Sequence, residues 1–254
     1  MKVSLITVTF NAAKTVAATL RSALGQRGVD LEYIVIDGSS TDGTVDVIRK
    51  VADDGGRFRF VSEPDRGMYD ALNKGIAMAT GDVIGILNAD DVFEDEDTLA
   101  AIIAAFDDSA DAVYADVRFV RDGRTCRYYS ARHWRPWMHN WGYMPPHPSV
   151  YIRRELFDRL GGYRLGYRIS ADFELMVRFF CRNGVKTHYL PRCVVKMTPG
   201  GLSTSGLRAM VRLNCENVRA NRENGYFACF PMMLPKYFYK VMGLFRKGGS
   251  SCST

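Results

Sequence analysis

The stretches KVSLITVTF at residues 2–10 and LEYIVID at residues 31–37 decide the fold. Each is a short run of mostly apolar, β-branched residues, and such runs predict strands that are buried on both faces. Between the two stretches, Val16, Leu20 and Leu24 recur at helical spacing and predict a helix with one apolar face. A strand, a helix and a second buried strand in this order predict a parallel β-α-β unit.

The same alternation continues to residue 106. We expect Asn11 to cap the first helix and Ser40, Thr41 and Asp42 to begin the second, because short polar side chains accept hydrogen bonds at helix starts. The further predicted elements are a strand at 57–62, a helix at 67–79, a strand at 82–87 and a helix at 98–106. This order predicts a Rossmann-like α/β fold, in which a mostly parallel sheet has helices on both faces and ligands bind beyond the carboxyl ends of the strands.

The pattern changes after Asp111. Residues 112–120 and 124–129 flank Asp122-Gly123, which is a strong signal for a hairpin turn. The following segment, 131–148, is irregular and rich in Trp, His and Pro. The remaining predicted elements are strands at 149–152, 187–191 and 193–197 and helices at 170–180 and 202–223.

The net charge lies in the C-terminal segment. Lys+Arg 34 and Asp+Glu 28 give a formal net charge of +6. Residues 205–254 contain eight basic and two acidic residues, a net of +6, so residues 1–204 are neutral overall. We therefore expect a globular domain over 1–204, with halves at 1–110 and 111–204, followed by a basic, apolar helical tail over 205–254.

Within the tail, YFACFPMMLPKYFYKVMGLFRK at 226–247 mixes aromatic residues with lysines. Pro231 and Pro235 interrupt it, which disfavours a straight spanning helix. Aromatic residues with interleaved lysines suit the surface of an anionic membrane, so we expect an amphipathic tail that binds there. A C-terminal helix packed on the domain is the alternative.

The composition and the cysteines limit the classes of protein. The chain is 47% hydrophobic and 24% charged, which excludes disordered, low-complexity and collagen-like classes. No pair of the six cysteines has C-x-x-C spacing, so a zinc site is disfavoured and free thiols in a reducing cytoplasm are expected. We find no pattern of a secretory signal and no uncharged apolar run near the roughly 20 residues of a spanning helix. A cytoplasmic protein on the inner face of the cell membrane is the expectation.

Three polar clusters follow predicted strands at the ligand edge. Asp37 opens DGSSTDGT at 37–44 and is a candidate to bind a nucleoside, with a helix-capping loop as the alternative. Asn88-Ala89-Asp90-Asp91 suits Mg²⁺ or Mn²⁺ with a substrate diphosphate, although a turn also favours Asp. Arg66, within EPDRGMYDALNKG at 63–75, is a candidate for a nucleotide's base or phosphate, and a helix with its N-terminal turn is the alternative.

Together the clusters resemble a known family. VSLITVTFNAA, YIVIDGSSTDGT, EPDRGMYDALNKGI and ATGDVIGILNADD are similar in order and spacing to the inverting family 2 glycosyltransferases, and HPSVYIRRELFDRLGGY and ISADFELMVRF continue the resemblance. It implies the GT-A fold, with a nucleotide-sugar-binding half at 1–110 and an acceptor half at 111–204. It also implies transfer of a sugar from a nucleotide-sugar donor, with UDP expected, to a hydroxyl of a glycan or lipid-linked acceptor. The implied setting is the assembly of a bacterial surface polysaccharide or lipid-linked oligosaccharide.

The resemblance places the donor by position. It implies that Val8, Thr9 and Phe10 line the nucleoside pocket and that Asp37 contacts the base or ribose. Arg66 belongs to the same donor site.

The metal motif departs from the family pattern. Asn88-Ala89-Asp90 occupies the place of the family's D-x-D, but its first residue is an amide, which is a neutral and weaker ligand for a hard cation. Asp90 is therefore expected to be the main contact of Mn²⁺ or Mg²⁺, with Asp91 in reserve.

The resemblance also implies a base and an acceptor site. Asp172 matches the family's catalytic base, which takes a proton from the acceptor hydroxyl; the alternative is a helix cap, and Glu174 is the second candidate base. His147 is expected to contact the acceptor or the diphosphate, or else to pack in its proline loop. Trp141 is expected in an acceptor wall or lid, as part of an aromatic loop whose other members are Trp134, Trp137 and Tyr143. The loop Gly200–Ser203 resembles a flexible loop near the acceptor, and a plain turn is equally compatible.

Other functions remain open at this point. A sugar-phosphate nucleotidyltransferase shares the sheet and a metal-bound diphosphate but usually has a Gly-rich loop after the first strand, and Asn11-Ala12-Ala13-Lys14 has no glycine. A non-catalytic nucleotide- or membrane-binding module would leave the strand-end carboxylates unexplained. An inactive family member is compatible with Asn88. We expect no nucleic-acid partner.

Overall fold

The polypeptide forms nine strands and seven α-helices in the residues described by the structure, a computed structural model; these residues are 1–107, 109–200 and 206–236. The strands are β1 (Lys2–Thr9), β2 (Asp30–Asp37), β3 (Arg59–Ser62), β4 (Val83–Ile86), β5 (Val92–Phe93), β6 (Ala112–Arg121), β7 (Arg124–Tyr129), β8 (Val150–Arg153) and β9 (Thr187–Met197). The helices are α1 (Val16–Leu24), α2 (Thr44–Asp53), α3 (Met68–Met78), α4 (Thr98–Ala104), α5 (Arg154–Leu160), α6 (Ala171–Met176) and α7 (Leu207–Glu223).

The first half of the sheet is parallel, as predicted. Strand β1 lies between β2 and β4, and β3 pairs with β2, all in parallel. Ile6 packs into the core on one face of β1 and Leu5 into the core on the other, and both are fully buried. This burial on both faces explains why the strand is continuously apolar in sequence.

The second half of the sheet is mixed. Strand β8 pairs antiparallel with β4 and β6, β7 forms the predicted hairpin with β6, and β9 runs parallel to β6. The two strands predicted at 187–191 and 193–197 are one strand, and its register with β6 shifts beside Asp116. Pro191 lies at this irregularity. Because the pairing is interrupted there, the absence of a backbone N–H in proline does not remove a hydrogen bond between the strands.

The predicted starts of α1 and α2 were wrong by a few residues. Helix α1 begins at Val16 after Thr15, and Gly43 is the N-cap residue of α2. Asn11 lies outside the helix with φ 50°, and its Oδ1 accepts the backbone N–H of Thr41 at 2.9 Å. The polar residues after β1 and β2 therefore bond to each other across two loops, which is a long-range contact that local capping rules do not include.

The C-terminal part packs α7 against α6. The helix predicted at 170–180 is α6 followed by a π-helical turn at Val177–Arg182. No helix in the described ranges combines the length and apolarity needed to cross a membrane. Residues 237–254 of the predicted tail and residues 201–203 of the loop Gly200–Ser203 lie outside the described residues.

Candidate active site

The carboxyl ends of β1, β2 and β4 meet at one edge of the sheet. Thr9 pairs with Asp37 at the ends of β1 and β2, and the N–H of Gly38 donates to the carbonyl oxygen of Thr9 at 2.9 Å. The N–H of Leu87 donates to Ile6 at 3.0 Å, which places Asn88 at the same edge. The parallel topology therefore brings together the predicted donor residues from three separate segments.

The end of β1 contributes both apolar and polar side chains to this edge of the sheet. Val8 and Thr9 are buried, whereas the ring of Phe10 is 65% exposed. Thr9 Oγ1 is buried and has no hydrogen-bond partner within the described residues. A buried hydroxyl without a partner costs about 1–3 kcal/mol, so a ligand that supplied the missing hydrogen bond would bind favourably here.

Asp37 is fully buried, and its carboxylate organises the loop that follows β2. Its Oδ2 accepts the N–H of Ser40 at 3.0 Å and the hydroxyl of Ser62 at 2.7 Å, and its Oδ1 accepts the hydroxyl of Ser40 at 2.5 Å. A carboxylate has about four acceptor positions. One position on Oδ1 is therefore left, and a direct nucleoside contact by Asp37 stays a prediction that uses this position.

Arg66 lies just before α3 at the same end of the sheet. Its guanidinium is 76% exposed and bonds Asp70 at 2.8 Å, and its backbone N–H bonds the same carboxylate at 3.1 Å. The Asp70 side chain is only 12% exposed, but the guanidinium faces water, which screens the pair and leaves the guanidinium open to a ligand anion.

After β4, the side chains of Asn88 and Asp90 present oxygen atoms at the same edge of the sheet. Asn88 Nδ2 donates to Asp91 Oδ2 at 2.8 Å, which leaves the amide oxygen of Asn88 free of that contact. Asp90 is exposed, and no hydrogen bond joins its carboxylate to another residue in the described ranges. Asp91 is buried and its Oδ1 accepts the N–H of Thr198 at 3.2 Å; burial, helped by the charge of Asp90, raises the pKa of Asp91 to about 7.

This donor set fits a hard divalent cation that is shared with a substrate. Mg²⁺ usually takes one or two protein carboxylates together with water and phosphate oxygens, and Asp90 with the amide oxygen of Asn88 supplies such a set. In the described part of the chain, no group of three or more His, Cys, Asp or Glu residues could hold a metal ion by itself. Asp91 orients Asn88 from the protein interior, so its predicted reserve role is not supported by its position.

Asp172 lies in the first turn of α6 and is not the N-cap residue, which is Ser170. Its Oδ1 accepts the N–H of Phe173 at 2.8 Å and the hydroxyl of Tyr69 at 3.3 Å. Burial raises the pKa of Asp172 to about 6, although both of these hydrogen bonds act against the rise. The carboxylate is thus ionised at neutral pH and is more basic than an aspartate in water.

Two tyrosines connect Asp172 to His147. The ring of Tyr69 stacks on that of Tyr163 with a centroid distance of 5.6 Å, and the Tyr163 hydroxyl lies 2.6 Å from Nε2 of His147. Burial lowers the pKa of His147 to about 4, so its imidazole is neutral. Sequence reasoning missed both tyrosines, although each belongs to a stretch that resembles the family.

Glu174 is a structural residue, and the prediction of a second candidate base was wrong. Its carboxylate is fully buried and pairs with Arg178 at 3.1 Å and with Arg164 at 3.3 Å. It also accepts a hydrogen bond from Asn224 at 3.2 Å. These contacts join α6 to the loop after α5 and to the end of α7. They leave no part of the carboxylate accessible to a substrate.

The predicted aromatic loop is divided between the core and the surface. Trp134 is buried and packs edge-on against Tyr114 and Phe180. Trp137 and Trp141 are 57% and 40% exposed and contact each other edge to face at 5.3 Å. Of the three tryptophans, Trp137 and Trp141 are open to a ligand, and Tyr143 is half-buried. A role of Trp141 in binding the acceptor stays a prediction.

Solved structures with the same fold are glycosyltransferases of the GT-A type. Staphylococcus aureus TarS 1-349 in complex with UDP-GlcNAc superposes with a TM-score of 0.69 at 17% identity, covering 98% of this chain and 76% of that one. The mannosyltransferase PcManGT of Pyrobaculum calidifontis, in complex with GDP-Man and Mn²⁺, gives 0.63 at 21% identity with the same coverage. The sheet and its ligand edge therefore define a GT-A glycosyltransferase fold.

The chain belongs to Glycosyl transferase family 2, whose model matches residues 4–172. A PGL/p-HBAD biosynthesis glycosyltransferase of Mycobacterium bovis (strain BCG / Pasteur 1173P2) is 33% identical over 206 residues, covering 80% of this chain and 79% of that protein. An uncharacterized glycosyltransferase of Mycobacterium tuberculosis (strain ATCC 25618 / H37Rv) is 32% identical over 193 residues, covering 69% and 68% of the two chains. The protein is a glycosyltransferase, and this membership argues against the nucleotidyltransferase alternative.

The two acidic residues of α6 are expected to affect stability in opposite directions. The folded-state pKa of Asp172, about 6 against an ordinary 3.8, means that ionising it destabilises the fold as pH rises from about 4 to about 6. Asp172→Asn should therefore stabilise the protein by roughly 2–3 kcal/mol at pH 8 and by almost nothing at pH 4. Glu174→Gln leaves Arg178 buried beside a neutral partner and should destabilise by about 3–5 kcal/mol.

Urea unfolding of both variants and the wild type, at several pH values between 4 and 8, measures these effects. A destabilised Asp172→Asn variant at pH 8 would show that the Asp172 carboxylate has a structural role instead.

Proposed function

We propose that this protein is an inverting glycosyltransferase that moves a hexosyl or acetylhexosaminyl group from a UDP-linked donor to a hydroxyl of a glycan or lipid-linked acceptor. One observation supports this above the others. Asp172, a carboxylate of raised pKa, bonds Tyr69 on α3, and α3 begins directly after Arg66 at the ligand edge. Arg66 and Tyr69 are three residues apart, about one helical turn. The Arg66 guanidinium and Asp172, which lies beside Tyr69, are therefore both close to the N-terminal end of α3.

In this proposal Asp172 is the general base. It takes the proton of the acceptor hydroxyl as the hydroxyl oxygen attacks the anomeric carbon from the face opposite the leaving diphosphate. The bond from the anomeric carbon to the diphosphate oxygen breaks as the new glycosidic bond forms, so the configuration inverts. A positioned base contributes typically 10²- to 10⁴-fold, and a pKa of about 6 keeps Asp172 ionised at neutral pH while making it a better proton acceptor than an exposed aspartate.

The donor would bind along the ends of β1 and β2. Phe10 offers an exposed aromatic face to a base, Thr9 has a buried hydroxyl without a partner, and Asp37 has one free acceptor position. Arg66 would exchange Asp70 for a phosphate oxygen or the base. Neighbours of the same fold are seen with UDP-GlcNAc, with UDP and Mg²⁺, and with GDP-Man and Mn²⁺; they support a nucleoside diphosphate here, and UDP is the one that we propose.

Asp90 and the amide oxygen of Asn88 would hold Mn²⁺ or Mg²⁺ together with oxygens of the donor diphosphate. A divalent cation in that position stabilises the negative charge on the leaving group. The acceptor would approach from the side of His147 and Trp141, where His147 is neutral and hydrogen-bonded to Tyr163.

Asp172→Asn is expected to reduce the rate of sugar transfer by at least 10²-fold, because an amide cannot accept the proton. Its affinity for the nucleotide should stay within about twofold of the wild type, since Asp172 contacts no predicted donor residue. A radiolabelled-donor transfer assay and nucleotide titration calorimetry measure the two quantities. Near-normal turnover would remove Asp172 from this role, and retention of the donor's anomeric configuration in the wild-type product would contradict single displacement.

We also propose an anionic membrane surface as a partner. Two segments, 131–154 and 224–254, contain no Asp or Glu. The ring of His139 in the first segment meets that of Tyr226 in the second at 4.4 Å. Five large apolar side chains on this part of the protein are exposed. They are Trp137, Trp141, Phe227, Phe230 and Leu234, with exposed fractions between 36% and 78%. Aromatic side chains beside cations without anions suit the interface of an anionic leaflet.

Phe227→Ser should weaken binding to anionic vesicles roughly tenfold, because the ring of Phe227 is 78% exposed and its insertion is worth about 1.5 kcal/mol or more. Leu165→Ser is the matched control, since Leu165 is 43% exposed and lies in neither of the two segments. Cosedimentation with phosphatidylglycerol-containing and purely zwitterionic vesicles measures the binding of the wild type and of both variants. Equal binding to both vesicle types, or an equal loss in the control, would end the membrane proposal while leaving the transferase proposal intact.

A further inference from the structure

The N-terminal end of α6 is held by a side chain of α7. Ser170, the N-cap residue of α6, makes no side-chain cap hydrogen bond. Instead, Oε1 of Glu216 accepts the N–H of Arg168 at 3.0 Å, and Oε2 accepts the N–H groups of Ile169 and Ser170, both at 2.9 Å. Three consecutive backbone N–H groups thus donate to one carboxylate, and hydrogen bonds to an ionised acceptor are the stronger kind.

Glu216 and Tyr69 fix the same residue through its two backbone groups. The N–H of Ile169 donates to Glu216, while the carbonyl oxygen of Ile169 accepts the hydroxyl of Tyr69 at 2.6 Å. The Tyr69 hydroxyl also lies 3.3 Å from Oδ1 of Asp172. Asp172 follows Ile169 by three residues, so the position of its carboxylate depends on a segment that α3 and α7 hold together.

The charge of Glu216 also reaches Asp172. Burial is the main cause that raises the pKa of Asp172, and the negative charge of Glu216 acts in the same direction. The other titratable groups that face Asp172 are Tyr69 on α3, whose hydroxyl lowers the pKa, and Tyr163 in the loop between α5 and α6. Both tyrosines have pKa values raised far above their ordinary range by burial, so they stay neutral. Glu216 is therefore an anion near Asp172 that adds to the effect of burial on its pKa.

We propose that Glu216 is a positioning residue for the general base: it fixes the backbone of Arg168–Ser170 and with it the start of the helix that carries Asp172. This inference rests on the proposed role of Asp172. It assigns α7, which lies beyond the residues 4–172 that the family model matches, a part in the transfer reaction.

Glu216→Gln in the full chain tests the proposal. The amide removes the charge and cannot accept all three N–H groups, so we expect kcat to fall roughly 10- to 100-fold with the KM for the donor unchanged. The negative charge of Glu216 adds to the rise that burial causes in the pKa of Asp172, so its loss should move the acidic limb of the kcat–pH profile to lower pH. Glu216→Asp keeps the charge but shortens the reach, so its kcat should fall while its acidic limb stays in place.

Glu223→Gln is the matched control. Glu223 lies on the same helix and accepts the hydroxyl of Tyr167 at 2.7 Å, but it does not contact Arg168–Ser170. Its kcat and acidic limb should match those of the wild type, whatever the change in Tm.

The outcomes separate the two proposals. If Asp172→Asn is inactive while Glu216→Gln keeps both the wild-type kcat and the wild-type acidic limb, Glu216 has only a structural role, and the proposal that Asp172 is the general base is kept. If Asp172→Asn is active, Asp172 is not the general base. If Glu216→Gln does not fold, Glu216→Asp decides: a wild-type kcat in that variant overturns the positioning role.

Discussion

The hydroxyl of Tyr69 makes the contact on which the rest of the candidate site depends. It donates to the carbonyl oxygen of Ile169 at 2.6 Å and lies 3.3 Å from Asp172. Tyr69 is in the first turn of α3, a helix that packs on β1 and β2, and Ile169 directly precedes α6. One buried hydroxyl therefore links the parallel half of the sheet, where a donor would bind, to the helix that presents the proposed base. Tyr69 and Ile169 are 100 residues apart in sequence, and their contact brings the two halves of the chain together at one site.

A buried ion pair also fixes the position of α6. Glu174 and Arg178 pair within the helical segment that begins at α6, and Arg178 also donates to the carbonyl oxygens of Leu160, Gly161 and Gly162. Buried pairs of this kind add little net stability compared with apolar packing, but breaking one is costly. The arrangement therefore fixes where α6 lies, and it explains why a second acidic residue stands two positions from Asp172 without sharing its function.

The sequence predicted the parallel half of the fold well, because buried parallel strands have a strong local signature. Asp37, Asn88 and Asp90 follow such strands, and the topology alone brings them to one edge. The predicted cap at Asn11 was wrong because its amide bonds Thr41, thirty residues away, and a local rule cannot anticipate that contact. Glu174 was misjudged for the same reason, since its partners Arg164 and Asn224 come from other elements. Tyr69, Tyr163 and Glu216 act only through contacts across the tertiary structure, and spacing gives no signal for them.

We propose that the edge formed by β1, β2 and β4 binds a nucleoside diphosphate together with a divalent cation at Asp90. Thermal unfolding of the wild type and of Asp90→Ala, with UDP, GDP, dTDP or CDP and with or without Mn²⁺, tests it most directly. A nucleotide at 100 times its dissociation constant stabilises by about 2.7 kcal/mol, or roughly 5–10 °C for a chain of this size. We expect such a shift with UDP, dependent on Mn²⁺ and lost in Asp90→Ala. The absence of a shift with all four nucleotides would contradict nucleotide binding at this edge.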